Sequence, residues 1–465
     1  MGEFATVGRP SDLSREGLEH WFAERGIRTV QVGATNLENT FVGKVVTPAK
    51  LLSGIESGFA LADVGALGLD LGNVPQLGFA WPEWRGEMID ILMRPDLSTV
   101  IEYTPGRASV IADFHSPVNG PLGVCPRSTV RRLRDRVKHK GFDTKVAIEI
   151  EATVFEESIS EARAKGFRDL SPLGGPAGNC YNLFKEKGWD EYLSVVVARL
   201  EELGIGWEAY NDEGAVGQIE INLAPVDALT AADNWARARQ VMREVAAEQG
   251  HCVTFMAKPT DGWGQASHIN FSLLRDGENA FFAPDGPSKT MNHVIGGLMS
   301  SLAAVTSLAM PNITSYRRLQ DLEGPPTTLT WGIGNKSAAI RAVVAHPKYS
   351  RLEYRVPGSD ANLYLVTAAV LAGALSGIEN EIAAPEPFDQ MAWSTAGGIE
   401  RIPNTISKAR AALESDTLLP ETLGRELIDY WVGTRKWEWL MWHTTGGDPD
   451  APLTSWELDR YFEFV

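Results

Sequence analysis

Four stretches of this chain alternate strictly between apolar and polar positions. Val146 to Val154 places Glu149 and Glu151 on one side of the alternation and Ile148, Ile150 and Ala152 on the other. Gly217 to Leu223 does the same around Glu220, Ser267 to Leu273 around His268, and Ser350 to Val356 around Glu353. Side chains of a strand point to opposite faces with a period of two, so each stretch predicts a strand with an apolar back and a polar front. Between them the period lengthens. Arg127–Lys140, Trp189–Leu203, Ala228–Gln249, Ser288–Ala309 and Asn362–Ile382 predict helices packed against the apolar backs. Upstream, Ser11–Gly26 predicts a helix capped by Ser11 or Ser14, Thr29–Val46 a hairpin around Thr35–Asn39, and Pro48–Gly58 a second helix.

The segment from His115 to Pro126 is rich in Pro and Gly and has no period. It divides the chain into an N-terminal domain at 1–115, a linker at 116–126 and a larger domain at 127–465. The fold class is α+β. The charges of Arg127–Lys140 read as a solvated helix face, and Trp431, Trp437, Trp439 and Trp442 as a packing stripe or subunit contact.

If the four strands share a sheet, Glu149, Glu151, Glu220, His268 and Glu353 meet on one surface beside Arg351 and Arg355. An antiparallel sheet with one wet face alternates too, but Lys, Thr and Ser would dominate such a face. Carboxylates gathered together repel unless a cation lies among them. Oxygen ligands with one imidazole suit Mg²⁺ or Mn²⁺, and arginines suit phosphate or carboxylate. The pattern points to phosphoryl transfer.

Bulk properties narrow the partners. The chain has 465 residues, 44% hydrophobic and 22% charged, the balance of a water-soluble globular protein. A net charge of −17 argues against nucleic acid and against anionic membranes. Cys125, Cys180 and Cys252 are scattered and form no CxxC pair, so neither a disulfide framework nor a zinc site is expected. With no signal peptide in Met1–Ser14 and no membrane span, the expectation is a cytoplasmic protein.

A set of collinear pieces resembles the glutamine synthetase superfamily from about Thr29 to Arg425. They include Val42-Gly43-Lys44, Pro95-Asp96-Leu97-Ser98-Thr99, Glu149-Ile150-Glu151, Glu213 to Glu220, Phe255-Met256-Ala257-Lys258-Pro259, Ser315-Tyr316-Arg317-Arg318-Leu319, Asn335 to Arg341 and Arg351-Leu352-Glu353-Tyr354-Arg355. The resemblance implies a β-grasp-like N-terminal domain and a glutamine synthetase/guanidino kinase-like catalytic domain, whose curved antiparallel sheet is flanked by helices. It implies two or more Mg²⁺ or Mn²⁺ ions per site, one held by Glu151, Glu213 and Glu220 and another by Glu149, His268 and Glu353. Gly264, Arg318 and Arg355 would hold glutamate, Lys336 and Arg341 the transferred phosphate, and Ser272 and Arg351 the rest of ATP. Glu323 would accept the proton of the attacking amine. ATP is the co-substrate, and the family's shared sites imply a homo-oligomer, most simply a dodecamer of two stacked hexameric rings.

The chain departs from the ammonia-using pattern on the amine side. Phe59 to Leu67 offers Asp63 among apolar residues where an Asp-Gly-Ser-Ser-like loop is usual, Ser171 to Tyr181 lacks the usual pocket-building run, and Trp263 replaces a small polar residue. With Asp63 and Tyr181 as its pocket, this resembles the γ-glutamylamide ligases, and an alkyl or aromatic monoamine is the expected partner of glutamate. A glutamine synthetase using ammonia is the alternative. A catalytically inactive structural or regulatory ring protein would have lost metal ligands, yet every candidate is present. A guanidino kinase would lack the N-terminal segments.

Overall fold

A computed structural model describes residues 8–76, 89–118, 120–175, 180–183, 188–344, 346–393 and 398–465. The first sheet contains β1 (Thr29–Thr35), β2 (Phe41–Val46), β3 (Phe59–Ala62), β4 (Asp90–Pro95), β5 (Ile101–Thr104), β6 (Arg107–Ser116) and β7 (Gly120–Pro121). Its main path runs β2-β1-β6-β4-β3, with β5 and β7 also on β6. The β1–β2 hairpin turns where the sequence places it, with Asn39 at φ 64°, a conformation that Asn tolerates through its short polar side chain. The leading helix covers Arg15–Glu24, and Ser14 caps it by accepting from the Gly17 N–H at 3.0 Å.

The second sheet carries the ionisable residues. It is built from β8 (Asp143–Phe155), β9 (Trp207–Asp212), β10 (Gln218–Leu223), β11 (Cys252–Thr254), β12 (Ile269–Arg275) and β13 (Glu278–Asn279). After a short hairpin of β14 (Phe282–Ala283) and β15 (Gly286–Pro287), β16 (Trp331–Ile333), β17 (Ile340–Val343) and β18 (Arg351–Tyr354) complete it. Its path is β16-β17-β18-β12-β8-β10-β9, antiparallel except for the β16–β17 pair. All four alternating stretches lie on this sheet. Helices Pro126–His139 and Ala228–Glu248 cover the back of β8, where Val146, Ile148, Ile150, Ala152 and Val154 are buried. Helix Leu363–Glu379, apolar on nearly every side, packs beneath them against Pro126–His139 and Lys289–Ser300.

Two elements differ from the sequence reading. The single helix expected over Ser288–Ala309 breaks at Ser301 into Lys289–Ser300 and Leu302–Ala309. The charge run of helix Pro126–His139 is solvated toward its C-terminal end, where Lys138, His139 and Lys140 are exposed, but not at its start. Arg127 is 2% exposed and donates to Asp233 at 2.8 and 2.7 Å, to Asp113 at 3.1 Å and to Asp96 at 2.9 Å. Tyr364 adds its hydroxyl to Asp233 at 2.7 Å. This network joins β6 and the loop after β4 to three helices of the second layer. Arg132 donates to the carbonyls of Thr422 and Leu423. Periodicity reports which face is polar; it does not report whether another polar surface covers it.

Of the tryptophans of helix Arg425–Thr445, Trp431 and Trp442 are buried, Trp437 is half-buried and Trp439 is exposed. Trp431 is buried under Arg435, and Trp437 donates to Asp70. Among the described residues no helix is long and apolar enough to cross a membrane.

Candidate active site

Strand register brings the acids together. Glu220 of β10 stands opposite Glu151 of β8, and Asn222 opposite Glu149. On the other side of β8, Ser272 of β12 pairs with Lys145, and Asn270 pairs with both Ala147 of β8 and Glu353 of β18. Arg341 of β17 stands opposite Glu353. Like charges placed directly opposite in a ladder are unfavourable, so the Glu151–Glu220 pair is a cost that stability alone would not retain.

Glu149, His268 and Glu353 offer ligand atoms that all lie within 4.8 Å of one another. His268 Nδ1 lies 2.8 Å from Glu149 Oε2 and 3.7 Å from Glu353 Oε1, while Asn270 Nδ2 donates to Glu149 Oε1 at 2.8 Å. Arg341 donates to Glu353 Oε2 at 2.8 Å, and Arg355 donates to Glu353 Oε1. Burial would raise the Glu353 carboxyl, but Arg355, His268 and Arg341 overturn it and hold it at about 2. Burial also opposes ionisation of Glu149, and the His268 hydrogen bond pulls it below the usual carboxylate range.

Glu151, Glu213 and Glu220 behave in the opposite way. Burial and the neighbouring Glu220 and Glu213 push Glu151 well above its ordinary value. Burial and Glu149 push Glu220 up to about 8, and burial raises Glu213. Their hydrogen bonds are local. Glu151 accepts from Gln218 Nε2 at 2.8 Å and from the Ala266 N–H at 2.6 Å, Glu220 from Asn222 at 2.7 Å, and Glu213 from Asn211 at 3.2 Å. One buried acid and two half-buried ones with so little positive charge among them have the donor chemistry of a hard divalent cation, which would lower all three at once, although among the described residues only Glu149, His268 and Glu353 bring ligand atoms that close together. The Glu149–His268–Glu353 group fits one too, with two oxygens and an imidazole.

These residues border a cavity of about 370 Å³ that also reaches Gly264, Glu323, Lys336, Arg318 and Tyr181. Gly264 is needed for closeness: a Cβ there would lie 2.4 Å from Arg318 Cγ. Arg318 is 1% exposed and donates to the carbonyls of Val356, Pro357 and Arg355, so it fastens the segment that follows β18. Glu323 accepts from Lys258 Nζ at 3.0 Å. A second cavity of about 440 Å³ adjoins the first through Glu149, Glu220 and Tyr181, and Ser272 and Arg351 border it. Lys145 and Tyr349 border it as well and were not singled out from sequence. Lys145 continues the alternation of Glu149 and Glu151, which is the signal that identifies it. Lys258 belongs to a quoted motif, but its partner Glu323 lies 65 residues away and only folding joins them.

One expected residue stands apart. Asp63 borders neither cavity. It follows β3 at the start of a π-helical turn, Val64–Gly68, and its carboxylate accepts from the N–H groups of Val64 at 2.7 Å and Ile89 at 3.3 Å. Ala66 and Leu67 beyond it are buried, the Ala66 carbonyl accepting from Asn36 and the Leu67 carbonyl from Tyr430 of the C-terminal helix. Within one chain this apolar stretch faces its own core.

The model of the family described as "Glutamine synthetase, catalytic domain" matches residues 123–461. The chain belongs to the glutamine synthetase family. Its full length is similar to a glutamate–isopropylamine ligase of Pseudomonas sp., 27% identical over 96% of this chain and 98% of the relative. It is 28% identical to a glutamine synthetase of Thermotoga maritima over 97% and 99% of the two chains. A solved structure described as a GmaS/ADP complex superposes with a TM-score of 0.80 and 26% identity, covering 95% of this chain and 98% of that one. The protein is therefore a glutamine synthetase-like ligase, of a family that couples ATP and divalent metals to reaction at glutamate, with the α+β architecture expected from its residues.

Proposed function

We propose that the protein joins the γ-carboxylate of glutamate to an amine larger than ammonia, an alkyl or aromatic monoamine, through γ-glutamyl phosphate. The observation that carries this reading is the single cavity in which register-paired carboxylates, Arg341, Arg355, Lys336 and Glu323 meet beside a second cavity bordered by Ser272 and Arg351. A carboxylate is a poor electrophile, and phosphorylation gives it a good leaving group. An oxygen of the γ-carboxylate attacks the γ-phosphorus of ATP, and ADP departs with the electron pair of the broken P–O bond. Lys336 and Arg341 hold the oxygens of the transferring phosphoryl group, and Arg355 with the Gly264–Arg318 wall holds glutamate. The amine nitrogen then attacks the acyl carbon, phosphate leaves with the C–O pair, and the proton lost by nitrogen passes to Glu323. Lys258 Nζ donates to the Glu323 carboxylate at 3.0 Å and holds it in place.

Glu151, Glu213 and Glu220 would hold one Mg²⁺ or Mn²⁺ and Glu149, His268 and Glu353 another. Such ions supply neutralisation of phosphate charge when bound.

Support for the larger amine comes from the full-length similarity to a glutamate–isopropylamine ligase and from the absence of hydroxyl residues in Phe59–Leu67. Because Asp63 lies outside both cavities of its own chain, we further propose that the N-terminal domain, 1–115, completes the site of a neighbouring protomer beyond the 116–126 linker, in a dodecamer of two stacked rings in the cytoplasm. The test is kcat/KM for ammonium against ethylamine, isopropylamine, aniline, ethanolamine and putrescine, with ATP, glutamate and Mg²⁺ or Mn²⁺. A monoamine with an apolar body should win. Ammonium winning would establish the glutamine synthetase reading, which the Thermotoga similarity favours.

A further inference from the structure

One wall of the catalytic cavity is aromatic, and none of the chemistry above uses it. Trp263 is 43% exposed and Tyr181 63% exposed, and both border the cavity. Large aromatic surfaces left open inside a cleft are a binding feature, because burying them is otherwise favourable. The benzenoid ring of Trp263 lies directly on Gly214: a Cβ there would come within 2.2 Å of the ring's Cε3. Gly214 follows Glu213, whose carboxylate also accepts from the Cys180 thiol at 3.8 Å, next to Tyr181. Trp393 borders the same cavity and donates from Nε1 to the carbonyl of Pro325 at 2.9 Å, two residues from Glu323. The loop bearing Trp263 is anchored by Gln265, which donates to Thr254 and Met256 carbonyls and accepts from Thr153. The backbone that carries Trp263 is therefore fastened two residues away, and its ring rests on Gly214.

We infer that Trp263, with Tyr181 and Trp393, receives the body of the amine, and that this body is a flat apolar ring: the substrate is an arylamine or arylalkylamine. The inference rests on the ligase reading above and sharpens its substrate class. Ammonium needs compact polar ligands in return for its lost water, and an indole face offers none. The ring of the amine stacks on Trp263, and its nitrogen, which attacks as the neutral amine, is directed toward Glu323. Trp263 lies on the Glu213 side of Gly264 and the Arg318 wall on the other, so the amine and glutamate meet across that glycine.

The experiment compares kcat/KM for benzylamine, aniline, cyclohexylamine, isopropylamine and ammonium in the metal-loaded full-length enzyme and in Trp263→Ala, Trp263→Leu and Trp263→Phe. In the wild type an aromatic amine should exceed cyclohexylamine by about tenfold, the value of a well-placed ring pair. Trp263→Ala and Trp263→Leu should erase that ratio through the amine KM, with the glutamate KM nearly constant, and Trp263→Phe should keep most of it. The leucine variant retains apolar volume, so it serves if the alanine variant does not fold. A wild type that treats aniline and benzylamine no better than cyclohexylamine, or leucine and alanine variants that keep the ratio, would overturn the inference while leaving the ligase reading intact. Ammonium outpacing every amine in the wild type would instead remove the larger-amine reading beneath it.

Discussion

Glu220 shows how a residue can be unfavourable to the fold and required by the chemistry. It is half-buried opposite Glu151 and near Glu149, and burial with Glu149 pushes it up to about 8. In metal-free protein the folded state holds a proton that the unfolded state releases near pH 4, so the folded form binds more protons between those values. Its contribution to stability is complete below the unfolded pKa and is lost as pH rises toward 8. Urea titrations in EDTA should show stability falling across pH 5 to 8, with a smaller slope in Glu220→Gln. Saturating Mg²⁺ or Mn²⁺ should remove the slope from the wild type only. The same substitution should abolish turnover, since a site that binds cations gives up stability without them. A metal-free wild type with flat stability over this range would contradict the packing of these acids.

Helix Pro126–His139 sets the element scale. Its apolar residues Val130, Leu133 and Val137 bury against the second sheet, while Arg127 reaches three aspartates on two other elements and a loop. Burial opposes ionisation of Asp96, yet Ser98, Arg127 and Arg131 pull it far below the usual carboxylate range. Arg127 is held charged against burial by Asp233 and Asp113. Removing the arginine leaves those acids covered and unpaired, so Arg127→Ala should cost about 3–5 kcal/mol in urea unfolding. A loss under 1 kcal/mol, the range of an exposed pair, would show that water reaches the network. Sequence identified this helix within one residue at each end. It could not show the arginine's burial, because the three acids come from Asp96, Asp113 and Asp233.

Across the whole molecule, the position of Asp63 relative to the cavities carries the assembly prediction. If a neighbour's N-terminal domain closes each site, separated protomers should be inactive. Sedimentation with activity measured across the boundary should find turnover only in the oligomer, and an active monomer would contradict shared sites.

The sequence by itself determined the four strands, their polar faces and most of the helices, because periods of two and 3.6 are local properties of the chain. It also carried the identity of Glu149, Glu151, Glu220, His268 and Glu353, since each sits on the polar side of its own strand. Only the tertiary structure decided which of them face one another. Register sets Glu220 against Glu151 and Arg341 against Glu353, and register depends on how distant strands fit against a common core. Burial of charge was likewise decided there, turning Arg127 inward and fixing Asp63 on backbone N–H groups. So was the stacking of Trp263 on Gly214, which in sequence was only a large residue where a small polar one is usual. Each of these rests on contacts between segments far apart in the chain, and no local pattern encodes them.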